Sequence, residues 1–236
     1  MTDRSDPGTF DGYADAYDSV LDEGLAVSGE SKDYFAEGRI AWLSEKLAAL
    51  TFRPSTALDF GCGTGSATPF LFRHFDLERL VGIDVSARSI EVAQKRHGSP
   101  RTDFSTLERH QPTGDVDLAF CNGVFHHIPP AERRDAAAHV FRSLRPGGLW
   151  AFWDNNPFNP GTQWIMRRLP FDRDAVKLSA WEAARLARSV GFEVLAREHL
   201  FIFPRALRRL RPLERRLAGL PLGAQFQVLC RRPDLV

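Results

Sequence analysis

The sequence predicts an α/β fold with a doubly wound, mostly parallel sheet of seven strands. Short apolar runs alternate with stretches of helical periodicity from residue 33 to residue 203, and this alternation is typical of βαβ units. The chain of 236 residues is 43% hydrophobic, which is enough to fill the core of one medium-sized domain. Several apolar runs end in acidic, glycine or asparagine residues, and such sheets bind ligands beyond the carboxyl ends of their strands.

The elements follow from periodicity and from helix and strand breakers. The first helix is predicted over residues 33–50, where Phe35, Ile40, Leu43 and Leu47 recur at near-helical spacing. Further helices are predicted over 66–75, 89–96, 131–144 and 180–190. Strands are predicted over 56–60, 80–84, 102–105, 116–121, 149–153, 192–203 and 225–231. We expect the last strand to run antiparallel to the others, and the turn 146–148 to precede the fifth strand.

A single domain is predicted over residues 1–236, in four parts. These are an N-terminal cap (1–32), a ligand-binding core (33–153), a Pro-, Asn- and Arg-rich segment (154–178), and a C-terminal part with a helix, two strands and a basic helical insertion (179–236). The cap, the segment after the fifth strand and the insertion 205–223 do not fit the alternation. We expect these irregular segments to be lids over the site.

Composition excludes several classes of protein. The formal net charge is +1, and the acidic excess lies in residues 1–37, which hold ten acids and two bases. The three cysteines are isolated and form no C-x-x-C pair, so neither a disulfide framework nor a metal site is predicted. The acidic N-terminus lacks a long apolar run, and no stretch approaches the roughly 20 apolar residues that span a bilayer. We therefore expect a cytoplasmic protein.

The run Asp59-Phe-Gly-Cys-Gly-Thr-Gly65 includes the end of the first strand. Its glycines let the backbone turn tightly and approach a ligand with no Cβ in the way. A loop that binds only a pyrophosphate presents N–H groups at a helix N-terminus, whereas a carboxylate beside the loop repels phosphate and suits a cationic ligand. The pattern resembles motif I of the class I S-adenosylmethionine-dependent methyltransferases, whose cofactor carries an ammonium and a sulfonium. The competing interpretation is a dinucleotide site of the G-x-G-x-x-G type, which Ser66 at the sixth position disfavours.

The resemblance implies a Rossmann-like fold and places the residues of motif I around the cofactor. These are Asp59, Gly61, Cys62, Gly63 and Gly65. The product left in the site after methyl transfer would be S-adenosylhomocysteine.

The resemblance also assigns cofactor contacts outside motif I. Asp84 and Val85 follow the second apolar run and resemble motif II, where the acid accepts hydrogen bonds from the ribose hydroxyls. Asp84 alone does not discriminate, because NAD has the same ribose. Ser105 stands near the position that contacts adenine, and Asn122 near the position that contacts the methionine moiety. Arg39 stands where related enzymes pair an arginine with the cofactor carboxylate.

Two adjacent histidines, His126 and His127, follow the fourth strand. Neutral imidazole accepts a proton near neutral pH, so His127 or His126 is the predicted catalytic base. The alternative is that the pair only packs or shapes the entry to the next helix. Methyl transfer from a sulfonium does not require a base when the nucleophile is held in line with the methyl group.

Side chains of the irregular segments are predicted to surround the cofactor and the acceptor. Tyr13 and Tyr17 share one helix face and resemble the aromatic pair that folds over the cofactor in small-molecule methyltransferases. Tyr17 is assigned to the cofactor and Tyr13 to the acceptor, and packing on the core is the alternative. Asn155, Phe158 and Trp164 follow the fifth strand and are assigned to the acceptor.

Residues 205–219 combine six arginines with leucines at helical spacing. This run is predicted to be a solvated helix, to bind an anionic small molecule or lipid head group, or to bind nucleic acid. Because aromatic side chains are missing from the run, no nucleic-acid partner is expected. Peripheral contact with a membrane surface through Arg205–Arg216 stays open, and the sequence does not predict the oligomeric state.

The sequence thus predicts an enzyme that transfers a methyl group from S-adenosylmethionine to a small-molecule acceptor, at a hydroxyl oxygen. One alternative is an RNA methyltransferase, whose cofactor mouth would be lined by basic residues. Another is a protein that binds S-adenosylmethionine without turnover. A dehydrogenase is a more distant alternative.

Overall fold

A seven-stranded sheet forms the centre of the structure, a computed structural model that describes residues 28–169, 172 and 175–234. Its strands are β1 (Thr56–Phe60), β2 (Arg79–Asp84), β3 (Thr102–Thr106), β4 (Val116–Asn122), β5 (Leu144–Asn155), β6 (Glu193–Leu200) and β7 (Gln225–Arg231). They lie in the order β3-β2-β1-β4-β5-β7-β6. Only β7 runs antiparallel to its neighbours, β5 and β6, so the predicted fold class is confirmed. Tyr13, Tyr17 and most of the predicted cap lie outside the described residues.

Helices cover both faces of this sheet. They are α1 (Lys32–Ala49), α2 (Thr68–His74), α3 (Ala87–His97), α4 (Arg133–Ser143), α5 (Pro160–Met166), α6 (Ala180–Ser189), a 3-10 helix (Arg205–Leu213) and α7 (Glu214–Leu217). One hydrophobic cluster packs α1 and α2 against one face, and a second packs α4 and α6 against the other. Because both faces are covered, the central strands are buried almost continuously.

Alternation along β5 shows how one strand serves both cores. Leu149, Ala151 and Trp153 belong to the cluster under α1, whereas Trp150 and Phe152 belong to the cluster under α6. Successive side chains of a strand point to opposite faces of the sheet, and all five of these are fully buried. The central strands therefore read as unbroken apolar runs in the sequence.

Helix α1 begins and packs as its sequence pattern predicts. The hydroxyl of Ser31 accepts a hydrogen bond from the backbone N–H of Tyr34 at 3.3 Å, which caps the first turn. Ile40, Leu43 and Leu47 are buried against the sheet. This packing fixes the side of α1 that carries Arg39 towards the carboxyl ends of the strands.

Three elements differ most from the prediction. Strand β5 begins at Leu144 and includes the expected turn at 146–148, because Gly147 and Gly148 exchange backbone hydrogen bonds with Arg232. Helix α5 was not predicted, although Asn159 caps it and Pro160 occupies its first turn. The basic insertion starts as a 3-10 helix rather than an α-helix, and Pro212, which lacks an N–H, interrupts the α pattern there.

The strand order reverses between β1 and β4. Strand β1 pairs with β2 on one side and with β4 on the other, so the chain crosses the sheet in opposite directions from this point. Such a switch point leaves a crevice beyond the carboxyl ends of the strands. Within the part of the chain that the structure describes, no helix has both the length and the apolar character needed to cross a membrane.

Candidate active site

A cavity of about 1060 Å³ opens at the carboxyl ends of β1, β2 and β4. Its walls come from α1, the glycine loop, the residues after β2 and β4, the segment after β5, and the loop before the 3-10 helix. The predicted site residues that line it are Arg39, Asp59, Gly61, Cys62, Gly63, Asp84, Val85, Asn122, His126, His127, Asn155 and Trp164. Gly65, Ser105 and Phe158 do not line it.

The glycines of the loop have different tasks. Gly61, Gly63 and Gly65 adopt φ angles of 74°, 51° and 77°, which strain any residue with a Cβ. A Cβ on Gly61 would lie 2.3 Å from Val124, and one on Gly65 would lie 2.9 Å from His97. A Cβ on Gly63 would meet no described atom within 4 Å. Gly61 and Gly65 therefore permit packing, whereas Gly63 leaves open space in the cavity wall.

Asp84 ties the glycine loop to the end of β2. Its Oδ2 accepts a hydrogen bond from the backbone N–H of Gly63 at 2.8 Å, and its Oδ1 accepts one from Ser86 at 2.9 Å. The cap of α3 is the hydroxyl of Ser86, not the carboxylate of Asp84. Asp84 thus holds the glycine loop in place, and it also lines the cavity.

Asp59 is the buried carboxylate of the site. Burial raises its pKa, the negative charge of Asp84 raises it further, and Arg39 lowers it, with a result of about 7. Its Oδ2 has no hydrogen-bond partner among the described residues. A buried acceptor without a partner is costly, so this atom fits a donor on a bound ligand.

Arg39 reaches the site from α1 and is held by the last strand. Its Nη1 donates to Oε1 of Gln225 at 2.8 Å, and the Nε2 of Gln225 donates to Oδ1 of Asn155 at 3.2 Å. All three side chains line the cavity. The guanidinium is thus positioned by residues that are distant in sequence.

Of the two polar residues predicted to contact the cofactor from β3 and β4, Asn122 lines the cavity and Ser105 does not. Asn122 ends β4 on the cavity, and its buried Oδ1 has no hydrogen-bond partner among the described residues. Ser105 lies within β3 opposite Ile83 and does not line the cavity, whereas Leu107 does. The structure therefore does not bring Ser105, the predicted adenine contact, to the cavity.

The two histidines form one cluster with two aspartates. Nδ1 of His126 lies 2.5 Å from Oδ1 of Asp154, and its Nε2 lies 3.3 Å from Oδ1 of Asp172. Nε2 of His127 also lies 3.3 Å from Oδ1 of Asp172. His126 is buried, whereas His127 keeps 17% of its side chain exposed at the cavity.

This arrangement gives the two imidazoles different charges. Burial lowers the pKa of His126, but Asp154 and Asp172 outweigh it and raise that pKa to about 10. Burial and the positive charge of His126 lower the pKa of His127, and Asp172 only partly opposes them. Burial alone would raise the pKa of Asp172, but hydrogen bonds from both histidines hold it well below its usual value. At neutral pH, His126 is therefore a cation and His127 is neutral.

The same cluster has the spacing of a metal site. Ligand atoms of His126, His127 and Asp172 lie within 4.8 Å of one another, although the sequence predicted no metal. The hydrogen bonds described above account for this spacing without a cation. A divalent ion placed there would have to displace the ring protons that make those hydrogen bonds, because a histidine ligates a metal through an unprotonated nitrogen.

The segment after β5 contributes unevenly to the cavity. Asn155 and Trp164 line it, whereas Phe158 is 61% exposed on the outside. Asn156 accepts a hydrogen bond from the N–H of Phe158 at 3.1 Å and donates to the carbonyl of Gly223 at 2.7 Å. Asn156 therefore stabilises the turn that directs Phe158 outward.

Sequence reasoning missed three residues that complete the site. Asp172 lies in an irregular segment, and no spacing in the sequence connects it to the histidines. Asp154 was visible as a polar residue after an apolar run, but its pairing with His126 was not. Gln225 opens the last strand, and only the antiparallel pairing of β5 and β7 brings it beside Asn155.

Residues 58–150 match the protein family described as "Methyltransferase domain". A trans-aconitate 2-methyltransferase of Azoarcus sp. (strain BH72) is 30% identical over 139 residues, which cover 58% of this chain and 53% of that protein. A trans-aconitate 2-methyltransferase of Rhizobium etli is 34% identical over 97 residues, which cover 40% of this chain and 36% of that protein. The chain spans about half the length of the curated relatives that it matches.

Solved structures show the same fold. A TehB-like S-adenosylmethionine-dependent methyltransferase from Corynebacterium glutamicum superposes with a TM-score of 0.60 at 19% identity, over 97% of this chain and 100% of that chain. The geranyl diphosphate C-methyltransferase from Streptomyces coelicolor, solved with Mg²⁺, geranyl diphosphate and S-adenosylhomocysteine, gives 0.59 at 17% identity, over 81% of this chain and 79% of that chain.

The fold, motif I and the family match over residues 58–150 agree on a methyltransferase domain of class I. They support S-adenosylmethionine as the cofactor, as motif I predicted. The cavity fits that cofactor: Asp59 and Asn122 present buried oxygens without described partners to a ligand with donor groups, and Gly63 leaves space beside them.

Proposed function

We propose that this protein transfers the methyl group of S-adenosylmethionine to a hydroxyl oxygen of a small-molecule acceptor. The observation that carries this proposal is the contact between Asp172 and His127 at the cavity wall. It supplies a neutral imidazole, oriented by a carboxylate, beside the space in which an acceptor would lie. The class of the domain supports methyl transfer, and the cluster supports a hydroxyl acceptor.

The cofactor would be held by residues on the first two strands, α1 and β4. Asp59 and Asn122 would accept hydrogen bonds from its ammonium group, and Arg39 would pair with its carboxylate. Asp84 would accept from the ribose hydroxyls while it holds the N–H of Gly63. Cys62 and Val85 supply wall surface at the same place, and Tyr17 stays a prediction outside the described residues.

His127 is the proposed base. The ionised carboxylate of Asp172 at Nε2 favours the tautomer with the proton on that nitrogen, so the lone pair is on Nδ1. Nδ1 would accept the proton of the acceptor hydroxyl, and Asp172 would stabilise the resulting imidazolium, as the acid does in a catalytic triad. When bound, S-adenosylmethionine supplies an electrophilic methyl group and a neutral thioether leaving group.

His126 has a supporting part in this proposal. It lies between Asp154 and Asp172, and these two carboxylates occupy both of its ring nitrogens, so neither nitrogen can take a proton from an acceptor. Its positive charge offsets the two carboxylates and keeps His127 neutral. His126 is therefore a positioning residue, and of the two predicted catalytic histidines only His127 is proposed to act on the acceptor.

A second candidate acceptor is a small carboxylic acid. The relatives named trans-aconitate 2-methyltransferase favour it, and a carboxylate needs no base at neutral pH. The two acceptors differ in a measurable way. A hydroxyl acceptor makes turnover depend on His127, whereas a carboxylate acceptor does not.

The cavity disfavours an RNA acceptor. Among the described residues that line it, the acidic ones are Glu30, Asp33, Asp59, Asp84, Glu132, Asp135 and Asp172, and the positively charged ones are Lys32, Arg39, His126, Arg142 and Arg211. A mouth with more acids than bases repels a phosphate backbone, which proteins bind with lysine and arginine. The alternative of cofactor binding without turnover is decided by the following experiment.

The experiment measures formation of S-adenosylhomocysteine with a panel of small alcohols, phenols and carboxylic acids. Wild-type protein is compared with His127→Gln and with the matched control His74→Gln, a histidine of α2 that does not line the cavity. We expect turnover with hydroxyl compounds and a loss of about 10²- to 10⁴-fold in kcat for His127→Gln alone. Turnover only with carboxylic acids, unaffected by His127→Gln, would establish the second candidate, and no turnover with any acceptor would support the non-catalytic alternative.

A further inference from the structure

The exposed apolar side chains of the described residues concentrate in two stretches of the chain. Ten large hydrophobic residues are exposed, and seven of them fall between residues 158 and 164 or between residues 207 and 222. These seven are Phe158, Trp164, Leu207, Leu210, Leu213, Leu220 and Leu222. The two stretches are joined by a hydrogen bond from Nδ2 of Asn159 to the carbonyl of Leu222 at 2.9 Å.

The 3-10 helix arranges its leucines on one side. Such a helix has about three residues per turn, so residues three apart eclipse one another. Leu210 and Leu213 share one stripe, and Leu207 precedes them by one turn across a kink. Their exposed fractions are 48% for Leu207, 41% for Leu210 and 45% for Leu213. The helix therefore presents an apolar stripe of which nearly half is exposed among the described residues.

A different stripe of the 3-10 helix and Glu214 at the start of α7 anchor this segment to the protein. Arg211 donates to Oε1 of Glu30 at 2.8 Å and lies over the ring of Tyr34. Glu214, three residues later, accepts from the backbone N–H groups of Phe201 and Phe203. Because these contacts fix one side of the helix on the body of the protein, the leucines on another side are held outward.

The six arginines of this segment also form two groups, one in contact with the body of the protein and one exposed. Arg205 and Arg215 join Arg211 in contacts with the body of the protein, through the carbonyl of Gly29 and the carboxylate of Glu45. Arg208, Arg209 and Arg216 are exposed and make no ion pair with any described residue. Three uncompensated positive charges therefore flank the apolar stripe.

We propose that this Arg–Leu surface, made of Leu207, Leu210, Leu213, Arg208, Arg209 and Arg216, docks the protein on an anionic phospholipid bilayer. Exposed leucines beside unpaired arginines are the combination with which surface helices enter the boundary between head groups and acyl chains of anionic membranes. Leucines alone or arginines alone bind a bilayer weakly, and the two together bind it more strongly. The surface offers no aromatic ring on which a nucleic-acid base would stack, which argues against RNA.

The docking surface adjoins the mouth of the cavity. Pro204, which precedes the 3-10 helix, and Arg211, near the end of that helix, line the cavity. Trp164, in the stretch between residues 158 and 164, lines it too. Docking would therefore bring the entrance of the site close to the bilayer. The inference concerns a binding surface and does not depend on methyl transfer.

The test is co-sedimentation of the protein with vesicles of phosphatidylcholine alone or of phosphatidylcholine with 30% phosphatidylglycerol. We expect wild-type protein to pellet with the anionic vesicles at low salt and to be released by added salt. Arg208→Glu/Arg209→Glu and Leu210→Ser/Leu213→Ser should each lower the bound fraction by about tenfold or more. The matched control is Arg185→Glu/Arg188→Glu, which reverses two exposed charges on α6, the helix packed on the opposite face of the sheet.

Each outcome decides the proposal. Circular dichroism and binding of S-adenosylhomocysteine would first show that every variant is folded. An absence of binding to anionic vesicles, or equal loss in the α6 control, would overturn the proposal. Loss through the arginines but not through the leucines would also overturn it, because the apolar stripe would then take no part. Self-association that the leucine variant abolishes without any vesicle binding would identify a second copy as the occupant instead.

Discussion

The N–H of Gly63 donates to Oδ2 of Asp84 at 2.8 Å, so one carboxylate fixes the glycine loop while facing the cavity. Replacing Asp84 by Ala removes a charged acceptor from the loop and from the proposed ribose contact. A hydrogen bond to a charged group contributes about 1.5–3 kcal/mol, so we expect affinity for S-adenosylhomocysteine to fall by about tenfold or more. Calorimetric titration measures it, with Asp76→Ala, an exposed acid before β2, as the control. Unchanged affinity in Asp84→Ala would contradict the assignment.

The three glycine environments predict three different mutant behaviours. Gly61→Ala should destabilise the fold strongly, since its Cβ would meet Val124 at a positive φ. Gly63→Ala should fold with a cost of about 1–2 kcal/mol for the left-handed backbone yet lose cofactor affinity, because its Cβ enters open space in the cavity. Gly219→Ala, which meets no described atom and has no positive φ, is the control. Urea unfolding and ligand titration separate the cases, and wild-type affinity in a folded Gly63→Ala protein would refute this reasoning.

The raised pKa of Asp59 predicts proton release on cofactor binding. Burial and Asp84 raise that pKa to about 7, so the carboxyl is partly protonated at pH 7 in the ligand-free protein. An ammonium group placed beside it favours the ionised form, and binding of S-adenosylhomocysteine should therefore release a fraction of a proton. Calorimetry in two buffers with different ionisation enthalpies detects this release. Asp59→Asn should abolish it, and a binding enthalpy that is the same in both buffers for wild type would contradict the prediction.

His126 predicts a pH-dependent contribution to stability. Its pKa is raised to about 10 in the folded protein against about 6.5 in an unfolded chain. The stabilisation is therefore complete below about pH 6.5 and disappears as the pH rises through about 10. Removing one member of a buried charge pair costs about 3–5 kcal/mol, so His126→Gln should lose that much stability at pH 6 and much less at pH 10. Urea unfolding at both pH values measures the difference, and an equal loss at both would show that His126 is not charged in the fold.

Hydrogen bonds to Asp172, rather than a shared metal ion, explain why His126, His127 and Asp172 lie so close together. Turnover should therefore survive treatment with EDTA followed by gel filtration into chelated buffer. The measurement is the rate with the best acceptor before and after treatment. A loss that Mn²⁺ or Zn²⁺ restores would assign the cluster to a metal site instead.

The fold and the glycine loop were predictable because their signals are local. Strand β1 matches its predicted range, and β7 does so as well, since each is a short apolar run with breakers on both sides. Asp59 and Gly61 were identified because a ligand loop needs particular residues at fixed spacing. The physical constraint and the sequence pattern coincide in these places.

Other parts of the site depend on contacts that no local pattern encodes. Asp172 meets His126 across 46 positions of the chain, and only the path of an irregular segment brings them together. Ser105 missed the cavity because an error in the end of a strand changes which side chain faces a ligand. Phe158 was assigned to the acceptor because it follows the fifth strand, but the turn stabilised by Asn156 directs it outward.

Strand β7 lies between β5 and β6, although it is the last of the described strands along the chain. Its first residue, Gln225, holds Arg39 and Asn155 in the cavity wall. During synthesis, β1 to β6 leave the ribosome before β7, the strand that joins β5 to β6 in the sheet and completes the cavity wall. A nascent chain can therefore assemble the half of the sheet that carries the glycine loop while its cofactor pocket is still incomplete. Stabilisation by the cofactor should become available only after residue 231 has emerged.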